Sequence, residues 1–318
     1  MRGAQERGQA PLFRFACPLC GTPLEQLEAT ELCCPSDRAR YPLVHGIWRL
    51  LPAERKAYYE QFMQEYAHVR ESEERGADDA AYYRALPFED LTGRFTQDWM
   101  IRATSFRTLL TKLVVPLEQA CDRPLAVLDV GAGNGWLSYR LARRGNTVAA
   151  IDLQTSKLDG LGAYIYYDVA FTPLQGDFDR LPFLAEQIDL VVFNGSLHYS
   201  TEYIRTLREA LRVLRPGGVV AIMDSPIYHD ATSGEQMVRE RERQFEARYG
   251  FPSNAIPSEN FLTYRRLKEL AERLGVEWEF YRPWYGWRWA LRPWRARLRG
   301  HREPAQFLVI ATRRVGSG

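Results

Sequence analysis

The run from Val127 to Asp152 constrains the fold more than any other part of this chain. It reads Val-Leu-Asp-Val-Gly-Ala-Gly-Asn-Gly-Trp-Leu-Ser, continues through Tyr139 to Gly145, and closes on Asn-Thr-Val-Ala-Ala-Ile-Asp. Leu125–Val130 is a short, mostly apolar run bounded by a glycine-rich turn, the pattern of a buried parallel strand. Gly131, Gly133 and Gly135 permit a sharp turn and let the backbone approach a ligand closely. Trp136–Arg144 has helical spacing, with Leu137 and Leu141 four apart and basic residues in the last turn. Gly145 ends that helix, and Thr147–Ile151 is a second strand finishing in Asp152. The unit is half of a doubly wound α/β fold, which holds its ligand at the strand ends.

A dinucleotide turn requires G-x-G-x-x-G with a small sixth residue. Here the third glycine comes one place early and the sixth position is Trp136. The run Asp129-x-Gly131-x-Gly133-x-Gly135 instead resembles motif I of the class I S-adenosylmethionine (SAM)-dependent methyltransferases. That resemblance implies a Rossmann-like seven-stranded α/β sheet with helices on both faces. It implies that the loop (Gly131, Ala132, Gly133, Asn134, Gly135) wraps the amino-acid part of SAM, with Asp129 fixing the loop. Asp152, followed by Leu153, would then hold the ribose hydroxyls.

Later segments carry the same resemblance in order. Gly176-Asp-Phe-Asp-Arg-Leu-Pro-Phe183 is similar to the family's turn in which the acid, here Asp177, accepts from the adenine amino group and the Phe178 amide binds a ring nitrogen. Ile188–Phe193 reads as a buried strand ending at Asn194-Gly195, where a ligand crevice lies. Arg205–Arg215 is an amphipathic helix stopped by Pro216-Gly-Gly, and Val219–Met223 is the next strand. Together these motifs cover about residues 120 to 225. Thr263–Leu274 reads as a further helix, and Val276–Tyr281 with Phe307–Thr312 as the antiparallel pair that completes the family's sheet.

The N-terminal fifty residues have a different character. Four of the five cysteines (Cys17, Cys20, Cys33, Cys34) fall there, and no secretory h-region precedes them, so metal is favoured over disulfides. Cys17-x-x-Cys20-Gly is a zinc knuckle, two thiolates on a tight turn. The remainder resembles the small zinc ribbon that leads some bacterial methyltransferases, including ribosomal-RNA guanine methyltransferases. Matching on Tyr41-Pro42, that resemblance implies Cys34 and Asp37 as the second ligand pair, an aspartate standing where a fourth thiolate would be. Two outcomes stay open: a structural zinc on Cys17, Cys20, Cys34 and Asp37, or a metal-free ribbon held by its apolar residues. His45 would join only if the chain folds back.

Three regions are expected: a ribbon-like module over 1–51 with a loose lead-in at 1–11, a helical cap over 52–120, and the SAM-binding domain over 121–318. Tyr58, Tyr59, Phe62 and Tyr66 recur at helical intervals in the cap. Tyr83, Arg84, Trp99 and Arg102 are its candidates for pocket contacts. From Arg282 to Arg302 the chain carries seven arginines, four tryptophans and no acid. Three readings compete there: peripheral contact with an anionic membrane, phosphate or nucleobase binding, or tryptophans covering the protein's own core.

Methyl transfer from a sulfonium needs alignment and exclusion of water, and only sometimes a base. Candidates for a base are His198 first, then Tyr199, Asp224, Tyr228 and His229, all following the fourth and fifth strands. Net charge is +2, too small to imply a nucleic-acid partner by itself, and no apolar run reaches the length of a membrane span. The reading is therefore a cytoplasmic SAM-dependent methyltransferase acting on a small-molecule or lipid-like acceptor. Its rivals are an RNA methyltransferase, an NAD-dependent oxidoreductase and a non-catalytic SAM-binding protein.

Overall fold

The computed structural model describes residues 13–314. The expected lead-in at 1–11 lies outside them. Four short strands come first: β1 (Glu25–Glu28), β2 (Glu31–Cys33), β3 (Arg40–Val44) and β4 (Ile47–Arg49). Helices α1 (Ala53–Ser72), α2 (Ala80–Ala85), α3 (Thr96–Leu109) and α4 (Val115–Ala120) follow, a π-turn at Leu110–Val114 joining the last two. The alternating part begins with β5 (Ala126–Val130), α5 (Trp136–Ala142), β6 (Thr147–Asp152), β7 (Thr172–Gln175) and β8 (Ile188–Asn194). It continues with α6 (Tyr203–Val213) and β9 (Leu214–Met223). The C-terminal third holds β10 (Ile227–Tyr228), α7 (Ala231–Tyr249), β11 (Leu262–Thr263) and α8 (Tyr264–Leu274). Last come β12 (Glu279–Tyr281), α9 (Trp287–Ala290), α10 (Arg292–Leu298) and β13 (Val309–Arg313).

The main sheet runs β1-β2-β3-β4-β7-β6-β5-β8-β9-β13-β12. Strands β7, β6, β5, β8 and β9 are mutually parallel, while β13 lies antiparallel between β9 and β12. The seven strands from β7 to β12 match the expected sheet, but four more extend it. Trp48 of β4 pairs in parallel with Leu174 of β7, so the N-terminal ribbon covers what would otherwise be an open edge. An all-parallel dinucleotide sheet has no strand placed as β13 is.

Both faces of the central strands are buried, which explains their near-continuous apolar sequence. Alternate residues of β5 point to opposite sides. Leu128 and Val130 pack with Ile204 and Leu207 of α6 and Leu267 of α8, joined by Tyr41 and Leu50 of the ribbon. Val127 packs with Trp136, Leu137 and Leu141 of α5 and with Phe106 and Leu109 of α3. Leu214 and Arg215, expected to end the helix, and Pro216–Gly218, expected as its stop, instead form the first half of β9. Leu214 pairs with Ile188, and an irregularity in register absorbs the Pro-Gly-Gly before pairing resumes at Val219. The chain leaves β5 for β6 on one side and later returns with β8 on the other. That reversal opens a crevice at the carboxyl ends of β5 and β8.

Candidate functional site

The cleft at this crevice measures about 790 Å³ with its open mouth included. Its floor is the loop after β5. Gly131, Gly133 and Gly135 all hold positive φ (72°, 55° and 80°). A methyl group added at Gly131 would lie 2.3 Å from the Ser196 Cβ, and one at Gly135 would lie 2.7 Å from the Phe171 ring. At Gly133 nothing stands within 4 Å, so this residue leaves the floor open. Beneath the loop, Asp129 is fully buried; its Oδ2 accepts from Ser138 Oγ at 2.8 Å while Oδ1 has no partner. Burial pushes its carboxyl up to about 7, against the opposing pull of the Ser138 hydrogen bond.

Asp152 ties the second strand to this floor. Its Oδ2 accepts from the Gly133 amide at 2.8 Å, and its Oδ1 from the Gln154 amide at 2.7 Å. Leu153, Phe178, Asn194 and Gly195 line the cleft with it, as do Ala132 and Asn134. Gly135 and Asp129 stand behind the lining, the first shaping the turn and the second bracing it.

Asp177 is placed elsewhere. Its Oδ1 accepts from the Asp179 and Arg180 amides, and its Oδ2 from Arg55 Nε at 2.6 Å. Arg55 also grips Asp179, so α1 is clamped to this turn and the Asp177 carboxylate does not reach the cleft. Of the pair expected at the adenine, Phe178 alone lines it.

The candidates for a base also separate. Tyr199 lines the cleft, beside Phe62 at 5.9 Å between ring centroids. His198 is buried outside it, with Nδ1 3.3 Å from Ser225 Oγ, and burial pulls its pKa down to about 3. It is therefore a neutral packing residue, a correction forced by the turn at Leu197–Tyr199, which sends adjacent side chains in different directions. His229 stacks on Tyr264, 4.6 Å between centroids, away from the cleft. Asp224 lies behind the wall, accepting from Ser105 Oγ, which in turn is 2.8 Å from Tyr285 Oη. Tyr228 is buried against Phe261.

The opposite wall comes from the helices before the sheet. Phe62, Tyr66 and Arg70 of α1, four residues apart, all face the cleft. Arg70 hydrogen-bonds Tyr66 and pairs with Asp159 at 3.1 Å. Arg102 of α3 also lines it, resting 4.7 Å from the Trp99 ring centroid. Among the described residues Arg102 has no ion-pair partner, and burial lowers its pKa. Of the other cap candidates, Tyr83 and Trp99 are core, and Arg84 donates to the Tyr166 carbonyl away from the cleft. Sequence reading missed Phe62, Tyr66, Arg70, Gln154, Asp159 and Ser196. The available signal was an arginine ending an aromatic stripe that plain core packing would finish with an apolar residue.

The cysteine cluster is equally specific. One ligand atom from each of Cys17, Cys20, Cys34 and Asp37 falls within 4.8 Å of the other three. Cys20 and Cys34 sulfurs are 3.4 Å apart, and Cys17 Sγ is 3.1 Å from Asp37 Oδ2. Three thiols and one carboxylate converging around one point fit a closed, four-coordinate structural zinc. Cys33 turns away toward the Cys34 carbonyl, as alternation along an extended chain requires, and His45 is not in the cluster.

Residues 128–222 match the family model described as a methyltransferase domain. The chain carries a methyltransferase domain over these residues. Over 99 residues it is 32% identical to a malonyl-[acyl-carrier protein] O-methyltransferase of Buchnera aphidicola, covering 30% of this chain and 38% of that protein. An uncharacterized methyltransferase of Mycobacterium bovis is 37% identical over 97 residues, 30% of this chain and 38% of the relative. The methyltransferase domain thus spans well under half the length of the curated relatives it matches. A solved SAM-dependent methyltransferase from Mesorhizobium loti aligns with 63% of this chain and 96% of its own, at 19% identity and a TM-score of 0.44. With the domain assigned and β13 antiparallel, the dinucleotide-dependent oxidoreductase reading is set aside.

Proposed function

We propose that the methyltransferase domain moves a methyl group from SAM to a small-molecule or lipid-like acceptor that enters between α1, α3 and the ends of β5 and β8. One observation carries this reading: the cleft unites a glycine floor, a strand-end carboxylate at Asp152 and an unpaired cation at Arg102. SAM supplies an activated methyl on sulfonium, and transfer breaks that S–C bond as the acceptor atom forms its own bond to carbon. The protein's part is to bind, align and keep water out. Asp152, already held by two amides, presents its remaining lone pairs to sugar hydroxyls. The loop backbone from Gly131 to Asn134 follows the amino-acid part, and Phe178 borders the base.

The lining carries no histidine. Its two carboxylates are engaged, Asp152 by backbone amides and Asp159 by Arg70. An acceptor atom that arrives without a proton, such as a carboxylate oxygen, suits that set and needs no base. Arginine at the cleft supports the same chemistry, and four of the relatives found are by name malonyl-[acyl-carrier protein] O-methyltransferases. A malonyl thioester is therefore the first acceptor to offer.

Calorimetry with S-adenosylhomocysteine on the folded protein tests the cofactor site, with Asp152→Asn expected to weaken binding about tenfold or more through loss of charge-assisted hydrogen bonds. Radiolabelled transfer to a malonyl thioester, to fatty acids and to ribosomal RNA tests the acceptor class. Arg102→Gln divides the two carboxylates that compete for that cation. A raised S-adenosylhomocysteine Kd assigns it to the cofactor, and a raised acceptor KM alone assigns it to the substrate. No heat with either SAM or its product would overturn the proposal.

A further inference from the structure

The segment between β12 and β13 takes no part in the cleft, and its surface is unlike the rest of the molecule. Residues 282–302 carry seven arginines and no acid, while the whole chain carries only +2, so the remainder is net negative. Arg302 pairs with Glu240 at 2.7 Å, and Arg292 rests 3.8 Å from the Trp289 ring centroid. Arg282, Arg288, Arg295, Arg297 and Arg299 have no ion pair among the described residues.

The apolar residues of the segment divide by direction. Trp289 turns inward, 5.8 Å from the Phe307 ring centroid and 4.9 Å from Tyr285, whose hydroxyl reaches Ser105. This root fastens the segment to the sheet and α3. Trp287, Leu291, Trp294 and Leu298 turn outward, at spacings of four, three and four, which is one stripe of a helix. Leu291 keeps helical backbone angles between α9 and α10, so the stripe is carried across the junction. Trp284 adds to its end, 5.0 Å from Trp287 between ring centroids. Exposure is extreme for such side chains: 60% for Trp284, 76% for Trp287, 62% for Trp294 and 67% for Leu298. The reading in which these tryptophans cover the protein's own core holds for Trp289 alone.

We infer that α9 and α10 form a membrane-surface anchor that seats the Trp287–Leu298 stripe in the headgroup region of an anionic bilayer. A short amphipathic helix with tryptophan and leucine on one side and arginine around it has the composition of an interfacial helix. Tryptophan favours the boundary between headgroup and hydrocarbon, and arginines near an anionic leaflet gain from its negative potential. Leu291 and Leu298 favour this occupant over nucleic acid, because an aliphatic side chain gains from hydrocarbon and not from stacking on a base. Among the described residues no helix is long and apolar enough to cross a membrane, so contact of this kind lies along the surface.

Co-sedimentation of the full chain with vesicles tests the anchor, comparing equal parts phosphatidylcholine and phosphatidylglycerol with pure phosphatidylcholine. Binding is expected for the anionic vesicles, with a blue shift of tryptophan emission and quenching by lipids brominated in the acyl chain. The triple variant Trp287→Ser, Trp294→Ser, Leu298→Ser should lose affinity at least about tenfold. Replacing Arg295, Arg297 and Arg299 by Gln should lose on the order of a hundredfold, diminishing as salt rises. S-adenosylhomocysteine binding by both variants should match the parent, which separates loss of the anchor from loss of the fold or of the cofactor site. Failure to bind anionic vesicles, variants that bind as well as the parent, or capture of single-stranded RNA in place of vesicles would each overturn the inference.

Discussion

Replacing Asp129 by Asn should change how stability depends on pH, because this carboxyl is buried with one oxygen unpartnered. In the unfolded chain it titrates near 3.8, and in the folded protein near 7. Between those values the native state binds more protons than the unfolded state, so stability falls as pH rises through the window and levels off above it. A shift of about 3 units at 1.36 kcal/mol each sets an upper bound of about 4 kcal/mol, and local relaxation reduces it. Asn keeps an acceptor for Ser138 but adds buried N–H donors, at a penalty of about 1–3 kcal/mol that does not vary with pH. The variant should therefore be less stable than the parent near pH 4, where most of that contribution is still present, with the gap closing or reversing by pH 8. Urea unfolding of both proteins across that range measures it. A parent-minus-variant difference that stays flat with pH would refute the reasoning, whatever the absolute stabilities.

Three other outcomes follow from the same geometry. Gly131→Ala should lose roughly 2–5 kcal/mol of unfolding free energy, combining left-handed strain with collision against Ser196. Gly133→Ala meets no neighbour and should lose only about 1–2 kcal/mol, so equal losses in thermal unfolding would contradict the assigned packing. His198→Asn should leave kcat within about threefold and the pH–rate profile unmoved, since a buried neutral imidazole outside the cleft transfers no proton. A loss of a hundredfold in correctly folded variant would restore His198 as a base. Elemental analysis of purified protein should find one zinc per chain, lost in Cys20→Ser together with several degrees of Tm. Zinc-free protein from zinc-replete cells would leave the ribbon to stand on its apolar packing.

Much of the central sheet was legible in the chain because local rules dictate it. Short apolar runs, glycines at positive φ and a helix ending at Gly145 demand a strand–turn–helix–strand unit wherever they occur. Cys34 and Asp37 could be set beside the knuckle only through the resemblance of the Tyr41-Pro42 segment to known zinc ribbons, and strand alternation merely disfavours Cys33. Side-chain direction beyond the strand ends was not legible. His198 and Tyr199 are neighbours in sequence, yet the turn that carries them admits only the second to the cleft. Asp177 matches a motif, but its carboxylate is claimed by Arg55 from 122 positions away.

By itself, then, the sequence determined the glycine floor, the acid at the end of β6 and the Cys17–Cys20 turn, since each depends on residues close together in the chain. Tertiary structure alone decided that the ribbon extends the sheet through β4, that Arg70 joins Arg102 at the cleft, and which of four nearby tryptophans faces inward. Those outcomes depend on which distant surfaces meet, and a periodic pattern states that a face must be buried without stating against what.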